Sequence, residues 1–246
     1  DYMCELTGKT EEEIFADLKG VIFLNPMHGY GNSTQAKYLM ADEYLSGNVR
    51  EKLAFARRSA QLYPDDYTVN VEALERVQPK DLTASEIAVR LGATWLPTEI
   101  VEQFMFEFLG TPRYAQWNIK VHFSAYTGEW NIEGKSYDRS NVKAYSTYGT
   151  GRINAYKIIE ETLNLKDVRI FDYVEDADGK KKAILNKKET AIAQAKQDLI
   201  KQGFQDWVWS DPERRERLCI LYNEKFNSLR PREYDGSHIV FSGMNP

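Results

Sequence analysis

The sequence predicts an α+β fold in which helices are joined by several β-hairpins, an N-terminal winged-helix-like module preceding a larger region of helices and hairpins. Three observations carry that expectation. Capping boxes recur, pairing Thr10 with Glu13, Asn48 with Glu51 and Thr83 with Glu86, and each marks a helix start. Short apolar runs at Val21-Ile22-Phe23-Leu24, Ile119 to Phe123 and Val168 to Val174 have the length and periodicity of strands. Longer apolar stripes at helical spacing follow Pro97 and Lys188. The 246 residues suffice for one large core or two small ones, and an aromatic content of 13% argues against disorder.

Taken in order, Tyr2, Met3 and Leu6 predict a short helix that Gly8 ends, and the Thr10 box starts a second that runs to Leu18 before Gly20. The strand Val21 to Leu24, a loop from Asn25 to Asn32 and a return strand Lys37 to Met40 complete a helix-helix-hairpin order, that of a winged helix. In a DNA reader the second helix enters the major groove. Here it carries Glu11, Glu12, Glu13 and Asp17, which phosphates repel, so packing or protein contact is the better expectation for it. Asn25-Pro26-Met27-His28 invites comparison with the Asn-Pro-Pro-aromatic tetrad that holds a flipped adenine in methylases. Two of the four positions are missing and no Gly-rich loop precedes it, so a loop turn is expected.

Met40 to Leu53 reads as a hinge between two helical pieces. Leu45, Val49 and Leu53 share a helical face, Ser46-Gly47-Asn48 interrupts it, and Asn48 restarts it. Arg50, Lys52, Arg57 and Arg58 lie off that stripe as a basic edge. The helix ends at Tyr63-Pro64, a further one spans Asp65 to Val77, and Gln78-Pro79-Lys80 marks a boundary, giving modules 1–80 and 81–246.

Beyond it, the Thr83 box leads through Ile87 to Leu91 towards the Gly92 stop, and Pro97 opens a helix whose Ile100, Val101, Phe104, Met105 and Phe108 face a core. A hairpin follows at 117–124 and 129–132, with His122 on its solvated face and no partner placed by spacing to make a dyad. Tyr148-Gly149-Thr150-Gly151-Arg152 opens a helix from Ile153 to Leu163. Its free N–H groups, glycines and Arg152 would seat a phosphate, or Thr150 simply caps it. Asp178-Gly179 is a type I′ turn signal between Val168 to Val174 and Lys181 to Leu185. The lysines Lys180, Lys181, Lys182, Lys187 and Lys188 on and after that hairpin either meet DNA phosphates or keep an exposed hairpin soluble. A long helix to Val208 is expected to turn Ile192, Ala195, Leu199 and Ile200 inward. Asp211-Pro212 starts another with Leu218, Leu221, Tyr222 and Phe226 buried and with Arg214, Arg215 and Arg217 pointing mostly elsewhere. The tail from Arg230 through Arg232 to His238 has no periodicity.

Five separated stretches, ADEYLSGNVREKL (41–53), LGATWLP (91–97), TGEWNI (127–132), Tyr148-Gly149-Thr150 and RPREYDGSHI (230–239), occur in one order. In that set the chain resembles the segment preceding the superfamily-two helicase motor in large helicase and DNA adenine methylase fusion proteins of conjugative elements and phages. The resemblance implies a noncatalytic accessory region whose partners are DNA and the motor and methylase regions of one polypeptide. ATP and S-adenosylmethionine belong, on that implication, to the parent polypeptide and no cofactor or metal to this segment. A start on Asp and an end on Gly243-Met244-Asn245-Pro246 agree with a piece of a longer polypeptide.

The residues add their own constraints. There is no GxxxxGK(S/T) loop, HExxH or GxSxG, so no catalytic residue is assigned. Cys4 and Cys219 are too far apart in sequence for a CxxC site, and no apolar run reaches membrane-helix length, so a cytoplasmic place is expected. A net charge of −5 means that any DNA contact must be local. The cations expected to provide it are Lys180, Lys181, Lys182, Lys187, Lys188, Arg50, Arg57, Arg58, Arg152, Arg214, Arg215, Arg230 and Arg232. The alternative is a protein interaction module without nucleic-acid contact.

Overall fold

The computed structural model describes residues 2–29, 34–175 and 181–234. In chain order the elements are α1 (Tyr2–Thr7), α2 (Glu11–Asp17), β1 (Ile22–Leu24), β2 (Tyr38–Met40), α3 (Ala41–Tyr44), β3 (Gly47–Asn48), α4 (Val49–Leu62) and α5 (Pro64–Arg76). There follow α6 (Thr98–Leu109), α7 (Arg113–Gln116), β4 (Lys120–Ser124), β5 (Glu129–Glu133), a π-helical turn (Lys143–Thr147), α8 (Ala155–Leu163), β6 (Phe171–Glu175), β7 (Lys181–Leu185), α9 (Lys187–Val208), α10 (Pro212–Phe226) and β8 (Leu229–Arg230). Each described sheet is an antiparallel pair of strands, so the fold is α+β as expected. The chain forms two compact units, one joining the residues up to Leu82 with those from Leu221 on, the other Thr83–Ile220.

In the first unit the Thr10 box closes as the sequence requires. Thr10 Oγ1 accepts from the Glu13 N–H at 3.3 Å while the Glu13 carboxylate accepts from the Thr10 N–H at 2.8 Å. β1 and β2 form the hairpin after α2, with Phe23 opposite Leu39. Phe23 stacks on Tyr44 at 5.0 Å, and Val49, Leu53, Ala56 and Leu74 fill the core around them. Asn25 is spent on its own loop, as the turn reading requires: its Oδ1 accepts from the Met27 N–H at 3.0 Å and its amide donates to Gln35 and the Ala36 carbonyl.

The hinge holds an element that the sequence did not announce. Gly47 takes φ +73°, a left-handed turn that glycine adopts freely, and Asn48 then caps α4. Glu51 answers through the Asn48 side-chain amide at 3.2 Å rather than through its backbone. The same two residues pair as β3 with β8, so Arg230, expected to open an irregular tail, forms a strand with Leu229. Asn223 both accepts from the Leu82 N–H and donates to the Leu82 carbonyl, and Asn227 donates to the Lys80 carbonyl. Side-chain amides thus return the C-terminal residues to this unit, a return that one boundary at residue 80 does not capture.

The second unit is built around Phe104, whose ring lies 5.1 Å from Phe108, 5.1 Å edge-on from Phe204 and 5.4 Å from Trp207. Three expectations are corrected here. After Thr83 only half of the box forms, the Glu86 carboxylate accepting from the Thr83 N–H while the Glu86 N–H bonds the Thr83 carbonyl; only a turn follows, and Ile87, Val89 and Leu91 are buried alternately with exposed Ala88 and Arg90. That two-residue period, with β-branched Ile87 and Val89, is the signature of extended chain, and it overrides the box. On α9 the buried stripe is Thr190, Ala193, Gln197, Ile200, Phe204 and Val208, leaving Ile192 and Leu199 exposed. The buried Gln197 sets this register, accepting from the Val168 N–H and donating to Thr162 Oγ1 and the Lys166 carbonyl. On α10 Leu218 is buried, but Phe226 is 57% exposed and Arg214 is buried in its place on the stripe.

Two polar groups organise the interior of this unit. Glu160 accepts from the Ile132 N–H at 2.8 Å and from the Lys135 and Lys157 ammonium groups. Burial alone would raise its pKa, but those donors outweigh it and hold the carboxyl below its ordinary value. Tyr156 donates to buried Asp138 at 2.6 Å and shares a 2.8 Å hydrogen bond with Thr111, tying three segments together.

Gly92 shows how tightly they fit. At φ +96° a Cβ would lie 2.4 Å from the Leu163 carbonyl oxygen. Gly92→Ala is expected to cost about 2 kcal/mol, from the left-handed backbone and the overlap together. A urea titration reads it, and an unchanged midpoint would contradict this packing.

Candidate nucleic-acid interface

The β6–β7 hairpin is clamped at its base and exposed along its length. Phe171 pairs with Leu185, Tyr173 with Ala183 and Glu175 with Lys181. At the base the Arg152 guanidinium donates to Asp172 Oδ1 at 2.9 Å and to the Phe171 carbonyl at 2.8 Å, while the Asn186 amide donates to Asp172 Oδ2 at 2.8 Å. The Asn186 amide, and then the Arg152 guanidinium, hold the Asp172 carboxyl below its usual range. Asn186 also caps α9, accepting from the Glu189 N–H at 3.0 Å. One asparagine therefore fixes both the hairpin's exit and the start of the 22-residue helix.

On this mount Lys181, Lys182, Lys187 and Lys188 are exposed and form no ion pair among the described residues. Alternation puts Lys181 and Lys182 on opposite faces of the ribbon. Lys187 and Lys188 occupy the first turn of α9, where the helix dipole disfavours cations by roughly 0.3–1 kcal/mol each. Their position costs stability, which favours a use outside the fold. From Lys181 to Leu185 the strand spans roughly 13 Å, about four nucleotides of one DNA strand. Lys180 and the expected Asp178-Gly179 turn lie outside the described residues.

Most of the other expected cations are already engaged. Arg50 bonds the Asn227 and Pro79 carbonyls and pairs with Asp81 at 2.5 Å. Arg57 pairs with Glu75 at 2.8 Å, and Arg58 lies over the Phe55 ring. Lys52 donates to the carbonyls of Glu43, Tyr44 and Ser46, closing the end of α3. Arg230 bonds the Leu45 carbonyl and Glu233, and Arg232 pairs with Asp42 at 2.6 Å. Arg214 departs furthest from its expected place: it is 6% exposed, donates to the Trp207 and Val208 carbonyls, and lies 3.6 Å from the centre of the Trp207 ring. It satisfies the last carbonyls of α9, and Arg215 does the same for the Trp209 carbonyl.

The phosphate seat is rearranged too. Asn154, not Thr150, caps α8, and a Cβ on Gly149 would lie 2.3 Å from the Ala144 carbonyl oxygen. That glycine admits the chain's own backbone. His122 lies 3.4 Å from Glu133 across the β4–β5 pair, both exposed. The Asp172 clamp was not legible in spacing, since its partners are 20 and 14 residues away. Asn186 was missed in the sequence, where Glu189 three residues on is the signal that could have found it. Among the described residues no cluster of three or more His, Cys, Asp or Glu could hold a metal, and no helix is long and apolar enough to cross a membrane.

Two family models match the sequence. One, described as a domain of unknown function (DUF8437), covers residues 90–228, more than half of the chain. The other, the winged helix domain of a probable helicase, covers residues 1–35, the stretch holding α1, α2 and β1. No curated protein and no solved structure matches.

Proposed function

We propose, for a chain that belongs to the DUF8437 family and opens on a helicase-type winged helix, the role of an accessory region that guides DNA for a motor elsewhere in the same polypeptide. The observation that carries this reading is the hairpin clamped at its base, with four lysines that form no ion pair among the described residues, two of them held where a helix dipole disfavours them. Nonspecific DNA affinity comes from neutralised phosphates, and four local cations supply it despite the net charge of −5. In this reading the parent polypeptide is a mobile-element helicase joined to a DNA adenine methylase, with ATP and S-adenosylmethionine bound outside this segment. Of the wider set of cations, Lys181, Lys182, Lys187 and Lys188 are exposed without an ion pair among the described residues. Arg152 acts as their mount.

A second reading has its own observation. The hairpin also exposes Tyr173, Val174 and Ile184 at 71, 51 and 49%, an apolar surface suited to another protein. Fluorescence anisotropy with a short labelled duplex at low salt separates the two. Saturable micromolar binding that weakens with salt is expected, and absence of binding would favour the protein module.

A further inference from the structure

We propose that the second unit carries a separate stacking platform for single-stranded nucleic acid, built from Arg113, Tyr114 and Trp117 with Tyr137, Arg139 and Lys143. It rests on the reading of the chain as a nucleic-acid-contacting accessory, but uses none of the hairpin lysines. α7 spans only Arg113–Gln116, yet Trp117 keeps the helical conformation at φ −65°, ψ −29°. Trp117 therefore falls on one face with Arg113 four residues before it and Tyr114 three before it. The opposite side is anchored: Ala115 is buried, and the Gln116 amide donates to the Thr111 carbonyl at 2.7 Å.

The segment 134–143 lies against the residues on either side of α7 at four points. The Asn141 amide donates to the Leu109 carbonyl at 3.1 Å, and the Asp138–Tyr156–Thr111 chain of hydrogen bonds links the two. The Lys143 amine lies 3.8 Å from where a Cβ on Gly110 would be, and a Cβ on Gly134 would lie 2.0 Å from the Asn118 carbonyl oxygen. Together the two segments expose three large aromatic residues, Tyr114 at 62%, Trp117 at 81% and Tyr137 at 60%. Arg113, Arg139 and Lys143 are exposed on the same two segments and form no ion pair among the described residues. Of the nearby carboxylates, Glu102 accepts from the Val121 N–H, Glu107 from the Trp207 indole and Asp138 from Tyr156 and Asn141.

Exposed rings interleaved with unpaired cations fit a ligand that is flat and apolar in one part and anionic in the next. Unpaired bases stack on the rings while the cations meet the phosphates between them. A duplex keeps its base faces stacked inside and offers nothing to Trp117, so the platform selects single strands.

The test uses the full chain with a labelled oligothymidylate and a matched duplex. Tyr114→Ala with Trp117→Ala is expected to weaken single-strand binding by roughly 10²-fold, about tenfold for each lost stack, with duplex binding unchanged. Trp117→Phe keeps a ring and should retain most of the affinity while abolishing the tryptophan quenching that accompanies binding. Both positions are exposed, so the melting temperature should not move. Unchanged single-strand affinity in the double variant, with duplex binding intact, would overturn the platform and leave the accessory reading standing. Absence of binding to either nucleic acid by the unaltered chain would overturn both and assign these rings to a protein partner.

Discussion

Replacing Lys181, Lys182, Lys187 and Lys188 together by Gln is expected to abolish the salt-sensitive part of duplex binding. Four neutralised phosphates give a slope of log affinity against log salt near −3.6, so that this part falls roughly 10²-fold between 50 and 200 mM salt. Gln is preferable to Glu at these positions. Lys181 stands opposite Glu175 across the ladder, and a second carboxylate there would repel it. On the first turn of α9, removing two cations relieves the dipole, so the variant should be as stable as the parent or slightly more so. A lost affinity with an unchanged or raised melting temperature therefore assigns the effect to binding rather than to folding. Equal affinity in variant and parent would return the lysines to the role of solubilising an exposed hairpin.

The second large effect is on stability. Phe104 is fully buried between the rings of Phe108, Phe204 and Trp207. Phe104→Ala removes an edge-to-face partner and leaves a cavity where α6 meets α9, at a point where a Cβ on Gly203 would overlap the Phe108 ring. A loss of about 3–5 kcal/mol is expected, read from urea unfolding followed by tryptophan fluorescence. Phe226→Ala is the internal comparison. At 57% exposure it should cost under about 1 kcal/mol, although both phenylalanines lie on helical apolar stripes. Equal losses at the two positions would contradict the placement of the core.

That contrast marks where the sequence was legible. Local chemistry read well: the Thr10 and Asn48 caps, the Gly8 and Gly20 stops and the 98–109 helix follow from neighbours within four residues, and the β4–β5 pair from strands whose partners are five to thirteen residues apart. What failed was decided at long range. Ile192 and Leu199 satisfy a helical period, but Gln197 turns α9 so that Ala193 and Phe204 face inward, because its amide and oxygen meet three partners roughly 30 residues away. The Gly47–Asn48 strand needed a partner about 180 residues further on, and no periodicity in two residues can announce that. The site shows the same division. The lysine hairpin was visible as a turn signal followed by charge, whereas basic runs give no sign of which guanidinium groups the fold consumes. Arg214 sits among three arginines in four positions, and only the end of α9 explains why it is the buried one.

The role of the hairpin is tested most directly by the salt dependence of duplex binding, measured on the intact chain and on the four-lysine variant side by side. The account expects a steep negative slope for the intact chain and one shallower by about 3 to 4 for the variant. Parallel lines for the two proteins, or an intact chain whose binding ignores salt, would contradict it.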